Sequence, residues 1–194
     1  TDNMILEQLM VEDIKRVADL LRPVFDKTHG GDGYVSLEVR PDLAFETEKT
    51  IAEAQRLWDL VSRPNVMIKI PATKLGLVAI RQSIAAGINI NITLIFSNER
   101  YKEVMEAYLS GLEERAKAGK PLDHIHSVAS FFVSRIDSKV DKYLQPLIEA
   151  PGSQAKIARE LLGKVAIANA RLAYQEFRKV FESERFSKLQ ASGA

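Results

Sequence analysis

The sequence predicts an α/β fold in which parallel strands alternate with helices. Three observations carry this. Four short runs rich in β-branched and aromatic residues punctuate the chain, at 34–39 (YVSLEV), 66–70 (VMIKI), 88–96 (ININITLIF) and 127–133 (SVASFFV). Helical patterns fill the gaps between them, and a β-α-β order implies parallel strands joined by crossovers. Within the runs, apolar residues hold one face and polar residues gather on the other.

Residues 5–24 read as an amphipathic helix, followed by a turn at Gly30-Gly31-Asp32-Gly33. The first strand puts Val35, Leu37 and Val39 on one face, with Ser36 and Glu38 on the other. A helix over 47–61 places Ile51, Ala54, Leu57, Trp58 and Val61 on one stripe and ends at Arg63-Pro64. In the second strand Met67 and Lys69 oppose Val66, Ile68 and Ile70. The helix over 75–86 is mostly apolar and is stopped by Gly87. The third strand sets Asn89, Asn91 and Thr93 against Ile88, Ile90, Ile92 and Leu94. Ser97 reads as the N-cap of a helix over 98–118 that ends at Gly119. In the fourth strand Val128, Ser130 and Phe132 oppose Ser127, Ala129, Phe131 and Val133. Helices over 138–148 and 154–181 follow.

An open sheet covered on both sides needs two apolar faces. Here one face collects Ser36, Glu38, Lys69, Asn89, Asn91, Thr93 and Ser130. A barrel with helices outside and a polar site inside accommodates that pattern, so a (β/α)8 barrel of the TIM type is expected. A full barrel needs eight strands and four are legible. The expectation is one domain over 1–194, a partial barrel cut short at both ends, with free edges on the first and fourth strands. Three outcomes are expected: self-association covers them, the helices over 154–194 cap them, or the chain is marginally stable.

Composition narrows the function. The chain has 194 residues, with 27 basic against 26 acidic, a net charge of +1. That balance argues against a general nucleic-acid or anionic-membrane binder, yet leaves room for a local basic pocket. There is no cysteine, and the three histidines are His29, His124 and His126, so no structural metal site is expected. No run of about 18 apolar residues or signal-peptide pattern is present, and a cytoplasmic protein is expected. His124 and His126 flank a strand start and read as surface or packing residues.

Lys69 is the informative residue. Burial disfavours an ammonium, and a neutral amine in a dry pocket is the nucleophile that forms a Schiff base with a carbonyl. The alternative is a structural lysine paired with a carboxylate such as Glu38. Schiff-base chemistry needs a proton carrier, which Glu38 can be, directly or through a water held by Thr93. Asn91 can hydrogen-bond substrate hydroxyls. Ser130 and Arg135, read as strand-end residues, can grip a phosphate, although a surface pair between Arg135 and Asp137 fits the spacing equally well.

At these residues the chain resembles a transaldolase. Residues 35–39 (VSLEV) resemble the strand bearing that family's acid/base glutamate, and 66–73 (VMIKIPAT) resemble its Schiff-base lysine signature. Residues 87–97 (GININITLIFS) resemble the strand with the substrate asparagine and the water-holding threonine. Residues 127–137 (SVASFFVSRID) resemble the phosphate-site segment. The resemblance implies a class I aldolase barrel needing no cofactor or metal. Such an enzyme moves a dihydroxyacetone unit from sedoheptulose 7-phosphate to glyceraldehyde 3-phosphate. Carried over, Lys69 is the nucleophile, Glu38 acts through a water that Thr93 orders, and Asn91 binds substrate. Ser130 and Arg135 bind phosphate, and Phe132 lines the pocket. Small phosphorylated sugars are then the expected partners. The long-chain bacterial subgroup, to which the motifs are similar, has further strands on both sides. One of these carries an aspartate for C–C cleavage, and Asp2, Asp13, Asp26 and Asp32 sit here in helix or turn context. A lyase on fructose 6-phosphate-type sugars and a catalytically silent scaffold are the alternatives.

Overall fold

The computed structural model describes residues 2–194. Its elements run α1 (Asp2–Lys27), β1 (Val35–Glu38), α2 (Thr47–Val61), β2 (Val66–Pro71), α3 (Gly76–Ala86), β3 (Ile90–Ile95), α4 (Asn98–Lys117) and β4 (Ser127–Phe131), followed by α5 (Ser134–Glu149), α6 (Gln154–Leu161), α7 (Val165–Phe181) and α8 (Glu184–Ala191). The four strands form one sheet in the order β1-β2-β3-β4, and every neighbouring pair is parallel. Right-handed crossovers in a sheet whose order never reverses put all the connecting helices on one side. The other face is left for polar residues, as in a run of strands cut from a (β/α) barrel.

The core lies between the sheet and α2, α3 and α4. Leu37, Val39, Ile68, Ile70, Ile90 and Ile92 meet Ala54, Leu57 and Val61 of α2, Ile80 and Ile84 of α3, and Val104, Leu109 and Leu112 of α4. Gly111 lets α3 and α4 cross closely, because a Cβ there would stand 2.7 Å from the Arg81 carbonyl oxygen. Ser97 caps α4 as its sequence predicts, its hydroxyl accepting from the Arg100 N–H at 3.2 Å. Gly87 ends α3 in the left-handed region at φ 105°. Ion pairs tie α1 to the α2 region, from Glu7 to Arg56 and from Asp19 to Arg63.

Several expectations are corrected. α1 extends beyond 5–24 at both ends. The segment 154–181 is two helices rather than one. Gly163 breaks it at φ 66°, and α5 holds the break: Asp137 accepts from the Ala166 N–H and Asp141 from the Gly163 N–H. A further helix, α8, is capped by Ser183. α5 begins at Ser134 rather than at 138, because Val133 already takes a helical ψ of −61°. Arg135 is therefore in the first turn of a helix and not at a strand end. α7 and α8 pack on α4, so they thicken the helical layer and do not extend the sheet. Leu94 leaves the apolar face of β3: the β3–β4 register shifts between Ile92 and Ile95, and Leu94 sits at φ 60°, exposed. The bulge lets both Ile92 and Ile95 face the core.

Candidate active site

β1, β2 and the part of β3 before its bulge bring the first polar cluster together. Glu38 stands opposite Lys69, and Lys69 opposite Asn91, so period-two alternation puts all three on one face. Lys69 Nζ lies 3.5 Å from Glu38 Oε2. Beside this pair runs a hydrogen-bonded chain across the sheet. Ser130 Oγ donates to Asn91 Oδ1 at 2.8 Å, and Asn91 Nδ2 donates to Ser36 Oγ at 3.0 Å. Both ends of the Asn91 amide are thereby fixed. Ser36 is a member that the sequence reading put on the polar face without giving it a role in the site. Its signal was its position two residues before Glu38 on the same face.

Lys69 is not in a dry pocket. Its side chain keeps 30% of its exposure and Glu38 keeps 47%, because the polar face is open. What the fold does bury is the strand around it: Met67, Ile68, Ile70 and Pro71 are all buried. The loop after Lys69 is pinned as well. Thr73 Oγ1 donates to the Ala44 carbonyl at 2.6 Å and accepts from the Gly76 N–H at 2.9 Å, while Ala72 N–H donates to the Thr93 carbonyl. A Cβ on Gly76 would collide with the Pro71 carbonyl, which requires glycine at this start of α3.

Thr93 is fully buried, and its Oγ1 has no hydrogen-bond partner. A buried hydroxyl without a partner is a natural seat for an ordered water. Asn89, expected on the polar face, is instead a structural staple. Its amide donates to the Pro64 carbonyl, and its oxygen accepts from the His126 N–H.

Phe132 and Arg135 form a second group. The Phe132 ring stacks on Phe96 at 5.1 Å, and the Arg135 guanidinium lies over Phe132 at 4.6 Å from its centroid. Among the described residues no hydrogen bond joins Arg135 to Ser130, and Asp137 is engaged with α7 rather than with Arg135. Phe96 was also missed by the sequence reading, which took it for the last residue of an apolar run. The four candidate aspartates give no substitute for a cleavage base. Asp26 pairs with Arg22, and Asp32 accepts from the Gly33 N–H; Asp13 is on α1, and the side chain of Asp2 lies outside the described residues.

The opposite end of the strands is built for packing. Tyr34, at the start of β1, packs against Phe25 and His126 and donates to the Gly30 carbonyl. Burial pushes the Tyr34 phenol up to about 12. Burial, with His124 nearby, pushes His126 below the usual histidine range. By contrast, Glu38, Lys69 and Ser130 lie in the C-terminal halves of their strands, the end where barrel enzymes place their chemistry, while Asn91 is the second residue of β3. Among the described residues no three His, Asp or Glu side chains are grouped to hold a metal ion, and no helix is long and apolar enough to cross a membrane.

Residues 1–192 match the sequence model of the Transaldolase/Fructose-6-phosphate aldolase family. The chain is 55% identical over 189 residues to Transaldolase 1 of Streptomyces avermitilis, covering 97% of this chain and 48% of that protein. It is 56% identical over 186 residues to the transaldolase of Thermobifida fusca, covering 94% and 48%. It is 51% identical over 190 residues to the transaldolase of Mycobacterium bovis, covering 97% and 49%. The chain thus spans about half the length of the curated relatives it matches. Across that span it belongs to the transaldolase/fructose-6-phosphate aldolase family.

Proposed function

We propose that this chain carries the Schiff-base centre of a transaldolase, which moves a dihydroxyacetone unit from sedoheptulose 7-phosphate to glyceraldehyde 3-phosphate. One observation carries the reading: an inward lysine, Lys69, stands 3.5 Å from a carboxylate on an open polar face, beside a fixed Ser36–Asn91–Ser130 chain. Stability is a weak reason for that placement. An ion pair this exposed contributes about 0–1 kcal/mol. Family membership and the names of the relatives point the same way.

In this reading the Lys69 ammonium first gives a proton to Glu38, directly or through a water seated at Thr93 Oγ1. The neutral amine adds to the ketose carbonyl, and the carbinolamine takes a proton from the Glu38 side as it loses water. The C4 hydroxyl of the ketose then gives its proton back to Glu38, through the same water, as the C3–C4 bond breaks and its electrons pass into the iminium. The proton returns to the new hydroxyl when the acceptor aldehyde is attacked. An aldose leaves, and an enamine of dihydroxyacetone stays on Lys69. The enamine attacks the acceptor aldehyde, and water then releases the new ketose. Asn91 orients substrate hydroxyls, Ser130 and Arg135 hold the phosphate, and Phe132 closes one wall. A cytoplasmic setting and small phosphorylated sugars as partners go with this reading. So does self-association along the free edges of β1 and β4, each of which pairs with one neighbour in the sheet.

The test is intact-mass spectrometry after incubation with fructose 6-phosphate and borohydride. A dihydroxyacetone-sized adduct that is lost in Lys69→Ala supports the reading. A folded chain that gives no adduct contradicts it.

A further inference from the structure

α5 sorts its charges by face. Asp137 and Asp141 turn toward the α6–α7 junction, where they accept backbone hydrogen bonds from Ala166 and Gly163. Arg135, Lys139 and Lys142 recur at i, i+4 and i+7, which puts them on one stripe of the helix. Ser134 and Ser138 recur at the same four-residue spacing. These five residues and Tyr143 line a surface groove of about 620 Å³. Among the described residues none of the three cations has a carboxylate within ion-pair distance, whereas Arg56, Arg63, Arg81 and Arg185 are all paired. The first turn of α5 has no side-chain cap, so its N–H groups add positive potential at the same end.

We propose that this groove is an outer docking position for a phosphate monoester, continuous with the site through Arg135. It goes beyond the phosphate grip assigned to Ser130 and Arg135, because Lys139, Lys142 and Ser138 stand one to two turns further along α5. A dianionic phosphate suits it. Three cations on one stripe supply the charge, the two hydroxyls supply donors, and the groove is open to solvent. Arg135 links the two positions: its guanidinium lies on Phe132, which directly follows the last residue of the strand that carries Ser130. A sugar phosphate held here first is concentrated beside the lysine centre before it reorients inward. The choice of a sugar phosphate rests on the transaldolase reading. The groove's affinity for phosphate is measured without turnover, so the two fail separately.

The experiment is equilibrium binding of inorganic phosphate at low ionic strength, with folding followed by circular dichroism. Three paired variants are compared with the unaltered chain. Lys139→Gln with Lys142→Gln removes two charges from the stripe. Lys117→Gln with Lys120→Gln removes two charges from the far end of α4 and its following turn. Lys139→Arg with Lys142→Arg keeps the charge. The expected result is that the first pair weakens phosphate binding by about fivefold or more, as the loss of two charge contacts allows. The second pair leaves it within about twofold, and the third retains it. Equal weakening by the first and second pairs would mean bulk charge alone, and overturns the proposal. So does unchanged binding in the first pair, or no phosphate binding by the unaltered chain.

Discussion

β2 and β4 are parallel strands of one sheet, yet they live in different environments. Every residue of β2 except Lys69 is buried, whereas no residue of β4 is. β2 has a strand on each side and α2 and α3 packed near it; β4 pairs with β3 alone. Burial of a strand is therefore set by its neighbours more than by its own hydrophobicity: Val128 and Phe131 are as apolar as Val66 and Ile70. For the site, the consequence is a division of labour. The lysine is held by the buried strand, and Ser130 comes from the exposed one.

Substitutions should follow that division. Ile68→Ala empties a fully buried position at the centre of β2 and is expected to cost about 2–5 kcal/mol in denaturant unfolding. A cost under about 1 kcal/mol would mean that β2 is not the centre of the core. Leu94→Gly is a smaller effect of opposite sign. A leucine at φ 60° carries about 1–2 kcal/mol of backbone strain, and glycine returns part of it to the unfolded chain as entropy. A stability change between zero and a gain of about 1 kcal/mol is expected. A clear loss would show that the bulge depends on the leucine side chain.

The next effect is set by pH. Burial in the Phe25–Tyr34 cluster, with His124 nearby, holds the His126 pKa below its ordinary value. Near pH 6.5 the unfolded chain takes up a proton that the folded chain resists, so stability falls as pH drops through that range. His126→Gln should flatten this part of the melting-temperature profile between pH 7.5 and 5.5. An unchanged slope would assign it to other groups. Least affected is the exposed edge: Val128→Ala on β4 should stay within about 0.5 kcal/mol.

How far the sequence could be read follows the same contrast. In β1, β2 and the first part of β3, alternation is unbroken, and it placed Glu38, Lys69 and Asn91 on one face. Alternation fails at Leu94, where a bulge adds a residue that no pattern of apolar and polar letters reveals. At 132–133 the apolar letters continue past the end of β4. Pairing stops there because Val133 turns into α5, and Arg135 moved from a strand end to a helix. Asn89 looked like an inward site residue, and only its two backbone partners show it to be a staple. Gly163 was read through as helix interior, since nothing local signals that Asp137 and Asp141 of α5 hold a break there. Ser36 was visible as a polar letter but acquires a role only when Asn91 reaches it across β2.

In the proposed function Lys69, among all the lysines, is the one that forms a Schiff base. The most direct measurement is peptide-level mass mapping of the borohydride-trapped adduct formed from fructose 6-phosphate by the folded chain. The adduct is expected to reside on the peptide containing Lys69 and to fall sharply in Glu38→Gln. An adduct spread over exposed lysines such as Lys139 and Lys142, or one unaffected by unfolding the chain, would contradict it.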